Sequence, residues 1–328
     1  ETPVLFVPDT FGFPWSIPQL MQQAGLKWFV TNKLNWNQTN QLPASSHWWR
    51  GIDGTRILTH VLTTPRDVQY LPFPTNYKSD LTAPEVLGTW EQSTRKEKIS
   101  DLPICFGYGD GGGGPTEDLI LTARAYAEMP AMPQLKMGTI RGALEAIEAD
   151  SATLPDWNGE HYLEGHRGVL TSQAWIKRAK ALLHEAEARS AMAGLRPNLT
   201  PAWELLCLNQ FHDVLTGTAI TEVFEDARRD HAGIQTLGEA AAVAAAAKIS
   251  AGKGGYIVLN TAPLPLTRYA LIPDTAWPVG QAVEGGVLVA LPDLAPYSAN
   301  AVPTVAEPPS SLSATCDGTS AVLENDLI

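Results

Sequence analysis

Val4–Gly12, V-L-F-V-P-D-T-F-G, is the stretch from which the fold is read. Four apolar residues rich in β-branched types predict a short buried strand, and Pro8 stops it because proline has no N–H for a ladder and fixes its own φ. Asp9 follows at once. In α/β enzymes the carboxyl ends of buried strands carry the working groups, which makes Asp9 a catalytic candidate. Pro-Asp-x-x-Gly is also sound turn chemistry, and on spacing alone both readings stand. Downstream, Pro14–Ala24 predicts a helix, with Ile17, Leu20, Met21 and Ala24 on one stripe and Gly25 as its stop. Trp28–Thr31 predicts a second strand. Strand, helix, strand at this spacing is a βαβ unit with parallel strands and a right-handed crossover. Lys33 follows the second strand and so shares the rim of Asp9, either as its cationic partner or as an ordinary solvated lysine.

The remaining chemistry-bearing segments are read outward from that unit. Asn35–Gln41 is amide-rich and contains Trp36, and Trp48-Trp49 follows; amides with aromatic faces suit a sugar, although aromatics also serve as core. Arg56–Thr63 predicts a third strand with His60 in the packing, Leu71–Glu85 a long Pro-rich loop, and Ile104–Phe106 another strand. That strand runs into G-Y-G-D-G-G-G-G-P-T (Gly107–Thr116), which puts Asp110 where Asp9 stands, just past a strand. The glycines suit close backbone approach or a steep turn; no Gly-Lys-Ser/Thr follows, so a phosphate loop is excluded. Helical periodicity dominates from Glu117 to about Gly252, with Thr200-Pro201 read as an N-cap and first-turn proline. His161, Glu164 and His166 invite a metal reading, but they do not fit H-E-x-x-H, and Gly165 and Gly168 break any helix. Tyr256–Leu259, Tyr269–Ile272 and Val287–Ala290 predict strands. The expected architecture is an α/β part over residues 1–116, helices over 117–252 and the start of an all-β domain over 253–328.

The 328 residues are 44% hydrophobic and 18% charged, a globular composition with room for two or three domains. A formal net charge of −12 argues against nucleic acid and anionic membranes, not against a neutral sugar. Cys105, Cys207 and Cys316 are too sparse for a disulfide framework or a cysteine zinc site, which favours a reducing, cytoplasmic setting. No apolar run is long enough to span a bilayer. Glu1 in place of Met, a strand almost at once, and structure-like residues at Val322–Ile328 suggest a fragment trimmed at both ends.

Six segments resemble glycoside hydrolase family 38, the retaining α-mannosidases, in that family's order. They are P-D-T-F-G (Pro8–Gly12), N-W-N-Q (Asn35–Gln38), W-W-R-G-I-D-G-T (Trp48–Thr55), Y-G-D-G-G-G-G-P-T (Tyr108–Thr116), H-R-G-x-x-T-S-Q (His166–Gln173) and N-Q-F-H-D-V-L-T-G-T (Asn209–Thr218). They are most similar to the bacterial and cytosolic-type branch. The resemblance implies a partial parallel α/β barrel, then a helical bundle, then the beginning of a β-sandwich. It implies hydrolysis of terminal α-linked mannose by zinc-assisted double displacement. Asp9 would be nucleophile and zinc ligand, His212 a second zinc ligand, and Asp110 the acid/base, with a raised pKa. Asp213 and Lys33 would serve the substrate site, where the aromatic Trp36 offers a sugar platform. An α-mannoside oligosaccharide is the expected partner, with homo-oligomerisation compatible. Two departures stand out. Thr216 replaces a usual proline, and the family's H-x-H-x-D, source of two more zinc ligands, is not found and would lie upstream of Glu1. A zinc site needs about four ligands. The rival expectations are therefore a catalytically incomplete mannose-binding remnant, or a deacetylase-like zinc hydrolase.

Overall fold

The computed structural model describes residues 2–66, 75–110, 112–169, 172–305 and 313–324. Residues 71–74 of the expected Leu71–Glu85 loop, Gly111 of the glycine run, Leu170 and Thr171 of the His166–Gln173 segment, and Asn325–Ile328 lie outside the described residues.

Strand β1 (Val4–Phe6) is followed by a two-residue strand, β2 (Gly12–Phe13), and by helix α1 (Ile17–Gln23). The helix carries proline in its first turn and ends as the sequence predicts. Gly25, at φ +73°, supplies the left-handed residue; its N–H donates to the Gln22 carbonyl and that of Leu26 to Met21, at 3.1 and 2.8 Å. Strand β3 (Trp28–Thr31) pairs parallel with β1, completing the expected βαβ unit.

The W-W-R-G-I-D-G-T segment forms a hairpin rather than a sugar platform. Strands β4 (Ser46–Arg50) and β5 (Arg56–Val61) are antiparallel, and Asp53 Oδ1 accepts the Thr55 N–H at 3.0 Å in the turn between them. With β6 (Asp156–Asn158) the sheet order is β1-β3-β5-β4-β6, parallel except for the β4–β5 pair. Alternation along β3 separates two cores. Trp28 and Val30 face one side with Val4, Leu58, Leu144 and Ile147; Phe29 faces the other with Phe13, Met21, Trp49 and Ile57. Trp49 is fully buried, so it belongs to packing.

Helix α2 (Ala83–Gln92) begins inside the stretch expected to be a loop. A capping box starts it: Thr82 accepts from the backbone at Glu85, and the Glu85 carboxylate accepts the Thr82 N–H at 3.1 Å. Conversely, Ile104–Phe106 is no strand. Between Pro103 and Gly107 only Phe106 forms a single parallel bridge, to Ser79. Helix α3 (Glu117–Tyr126) packs with α2 through Leu81, Val86, Ala123 and Tyr126. Helix α4 (Ile140–Ala149) lays Leu144 and Ile147 on the sheet, and β7 (His161–Tyr162) pairs with β2.

The chain divides into two compact units, residues 1–172 with Leu215–Gly217, and residues 173–214 with 218–328. Helix α4 thus joins the sheet unit, because its apolar stripe is used there, whereas periodicity alone groups it with the later helices.

In the second unit α5 (Ala174–Met192), α6 (Thr200–Asn209) and α8 (Thr221–Ser250) pack together, with the short α7 (His212–Thr216) between the last two in sequence. Gly238 lets α8 approach α5, since a Cβ there would lie 2.9 Å from the Leu182 side chain. Thr200 is inside α6 rather than its cap; Leu199 holds that position and Asn198 Oδ1 accepts the Thr200 N–H at 3.2 Å. Strands β8 (Ile257–Asn260), β9 (Leu266–Ile272), β10 (Gln281–Val283), β11 (Gly286–Leu294) and β12 (Ser298–Ala301) follow. They form a three-stranded sheet, β10-β11-β9, and a β8–β12 pair. A last hairpin joins β13 (Ser313–Cys316) and β14 (Ala321–Glu324).

Candidate functional site

The parallel pairing of β1 and β3 brings both carboxyl ends to one rim. Past β1, the Val7 N–H donates to the Val30 carbonyl at 3.0 Å and the Val7 carbonyl accepts the Thr31 hydroxyl at 3.0 Å. Asp9 is held immediately beyond. Past β3, Lys33–Trp36 coils into a 3₁₀ turn that aims Lys33 back at the same rim. The Lys33 Nζ lies 2.7 Å from Asp9 Oδ1, with the lysine side chain 11% and the aspartate 23% exposed. Lys33 is therefore the partner of Asp9 and not a solvated surface residue. Its ammonium also sits 3.9 Å from the centroid of the Trp36 ring, whose indole N–H donates to the Thr75 carbonyl at 3.1 Å.

Tyr77 reaches this rim from the segment leading into α2. Its hydroxyl donates to Asp110 Oδ1 at 3.0 Å, and the charge of Asp9 acts on the same phenol. Burial first, and then the charge of Asp9 and the bond to Asp110, push its pKa up. Lys78 pairs with the other oxygen of Asp110. The bonds from Lys78 and Tyr77 hold Asp110 below the usual carboxylate range, helped by the charges of Lys78 and Lys33. This corrects the expectation of a raised Asp110 pKa: the residue is exposed and faces cations, not an apolar wall.

Asp9, Lys33, Trp36 and Asp110 thus meet in the first unit. Tyr77 and Lys78 escaped the sequence reading, because they lie inside the expected loop. The Thr82-x-x-Glu85 capping box was the local signal that this stretch is ordered, yet nothing local pairs it with Asp110. His212 and Asp213 belong to the second unit. The His212 ring packs on Phe211 at 4.2 Å between centroids, and its Nε2 lies 3.9 Å from Asp213 Oδ2. Asp213 Oδ1 accepts the Thr218 hydroxyl at 2.6 Å, and its carbonyl accepts the N–H groups of Thr218 and Ala219.

Glu164 and His161 are engaged in packing and backbone hydrogen bonds. Glu164 accepts the backbone N–H groups of Gln38, Thr39 and Asn40 at 2.6–2.9 Å, which pull its pKa down to about 2. His161 is buried with its Nε2 3.2 Å from that of His47. Among the described residues no group of three or more His, Cys, Asp or Glu side chains could hold a metal.

Comparison with known proteins defines first a class and then a family. Two glycoside-hydrolase models match the chain: the glycosyl hydrolases family 38 N-terminal domain over residues 1–160, and the alpha mannosidase middle domain over residues 164–249. The chain is 33% identical to alpha-mannosidase 2C1 of Mus musculus, over 98% of the chain and 31% of that protein. It is 35% identical to the human protein of the same name, over 79% of the chain and 25% of that protein, and 34% identical to an alpha-mannosidase of Saccharomyces cerevisiae over 69% and 22%. The fold is similar to that of an alpha-mannosidase from Enterococcus faecalis V583, with a TM-score of 0.64 and 17% identity over 91% of this chain and 42% of that one. The chain belongs to glycoside hydrolase family 38. It spans about a third or less of the length of the curated relatives it matches.

Proposed function

We propose that this chain carries the carboxylate machinery of a retaining α-mannosidase that releases terminal α-linked mannose from glycans. The observation that supports the reading is the gathering of both carboxylates by one unit's side chains: Asp9 pairs with Lys33 at 2.7 Å, and Asp110 accepts at 3.0 Å from Tyr77, a phenol that also feels the charge of Asp9. In this reading Asp9 attacks the anomeric carbon as the glycosidic bond breaks, and the proton of Asp110 goes to the departing oxygen. Asp110, now ionised, takes a proton from water, whose oxygen displaces the Asp9 ester and releases mannose with retained configuration. Lys33, 2.7 Å from Asp9 Oδ1, would hold that carboxylate in place for attack. Asp213 would bond sugar hydroxyls and Trp36 would line the sugar site beside Lys33.

Zinc held by Asp9 and His212 is proposed on the resemblance alone, and about four donors would be needed to complete it. The cysteines are unpaired, and no described helix is long and apolar enough to cross a membrane; the former supports a cytoplasmic setting. The test is Asp9→Asn in the intact protein, assayed on an aryl α-mannoside. Turnover is expected to fall by at least about 10³-fold, and a 2-fluoro-mannoside is expected to label Asp9 in the parent. Near-parental turnover by Asp9→Asn, with no label on Asp9, would overturn the assignment.

A further inference from the structure

Asp110 is the less enclosed of the two carboxylates, with 58% of its side chain exposed, and its backbone sits in the left-handed region at φ +49°. Aspartate is among the few non-glycine residues that enter this region readily. Both its oxygens are nonetheless engaged, Oδ1 by the Tyr77 hydroxyl and Oδ2 by the Lys78 ammonium. The two donors are consecutive residues on a segment pinned at several points. Asn76 Oδ1 accepts the Lys78 N–H at 2.9 Å, and the Ser79 N–H donates to the Cys105 carbonyl at 2.8 Å. The buried Glu85 carboxylate accepts from the Ser79 hydroxyl and the Asp80 N–H.

Gly109 completes the arrangement. A Cβ on it would fall 2.9 Å from Lys78 Cδ and 3.0 Å from Lys78 Cβ, so the glycine gives the lysine stem its path to Asp110. Its φ of +62° is equally glycine's territory. Gly109 is thus required by the path of the Lys78 stem and by its own φ.

We propose that Tyr77 and Lys78 are the positioning residues of Asp110: with one bond to each oxygen, they fix the plane of its carboxylate. The inference rests on reading Asp110 as the acid/base. An anion is the form that deprotonates water in the second step. In the first step Asp110 must carry a proton, so Lys78 has to disengage from Oδ2 when the leaving oxygen arrives. Lys78 thereby favours the hydrolytic half of the cycle. The ionisable groups facing Asp110 are Tyr77, Lys78 and, at longer range, Lys33, and the charge of Asp9 acts on Tyr77.

The test compares Lys78→Met, Lys78→Arg, Tyr77→Phe and Asp110→Ala in the intact protein. Two quantities are read: the Asp110 carboxyl titration by carbon-13 NMR, and the pH profile of kcat/KM on aryl α-mannosides with good and poor leaving groups. Lys78→Met is expected to raise the Asp110 midpoint, and the basic limb of the profile with it, by about 1 pH unit. Lys78→Arg is expected to restore both, and Tyr77→Phe to give a smaller rise. A midpoint that does not move in either Lys78→Met or Tyr77→Phe overturns the proposal, as does a loss that Lys78→Arg fails to rescue. The acid/base reading has its own readout. If Asp110→Ala cleaves poor leaving groups as well as the parent does, that reading fails even where the Lys78 variants shift the titration.

Discussion

At the scale of single residues, Lys33 and Asp9 form an ion pair at 2.7 Å. Two side chains largely withdrawn from water are favourable only as a pair, because each alone would bear its desolvation cost without the compensating attraction. Lys33→Met keeps the aliphatic stem and removes the cation that faces Asp9 and Trp36. We expect it to destabilise the protein by about 3 kcal/mol, the lower end for a broken buried pair because Asp9 keeps some solvent contact. A shift of the urea midpoint checks this, and an unchanged midpoint would mean that water screens the pair. Lys33 could be placed on the rim from the sequence, since consecutive parallel strands end on one side. Whether it faced Asp9 or the solvent could not, because that depends on the 3₁₀ turn at Lys33–Trp36.

At the scale of elements, the entry into α2 organises the site. Glu85 is buried, and its carboxylate accepts from Asn76 Nδ2, the Ser79 hydroxyl, and the N–H groups of Asp80 and Thr82, at 3.0–3.2 Å. It caps the helix and fixes the segment that presents Tyr77 and Lys78. Glu85→Ala would leave several of these donors buried without an acceptor, so we expect a loss of about 3 kcal/mol. Hydrogen exchange at Ser79 and Asp80 should accelerate as well; a stable variant with protected amides would show that α2 is held by packing alone. The capping pattern was legible in Thr82 and Glu85. The prolines nearby argued for a loop, and proline at the first turn of a helix reads locally like proline in a turn.

At the scale of the whole molecule, stability should depend on acid through three buried histidines of the sheet unit. Burial pushes the pKa of His47 down to about 4 and of His60 to about 3, and takes His161 well below its ordinary value; the charge of His47 adds to the last two. Each ring is neutral in the fold and binds a proton near pH 6.5 once unfolded. Their contribution is therefore complete above about pH 6.5 and is lost as pH falls toward the depressed values, by up to about 1.4 kcal/mol per pH unit for each ring. Urea midpoints between pH 7 and pH 4 measure it; His47→Gln should flatten the slope, and a parent midpoint independent of pH over that window would refute it.

What the sequence determined by itself is whatever depends on periodicity and local chemistry. The βαβ unit, the helices α1, α3, α5 and α8, the strands of the later segment, and the family-ordered motifs around Asp9 and Asp110 could all be read from residues a few positions apart. The tertiary structure alone decided which apolar stripe meets which partner and which charges meet across the chain. Helix α4 turns its Leu144–Ile147 face onto the sheet, Trp49 serves the core rather than a sugar, and Tyr77 with Lys78 closes on Asp110 more than thirty positions away. The physical reason is that a side chain's period tells which side of its element it lies on, whereas the cation that lowers a carboxylate's pKa is set by how separate elements pack.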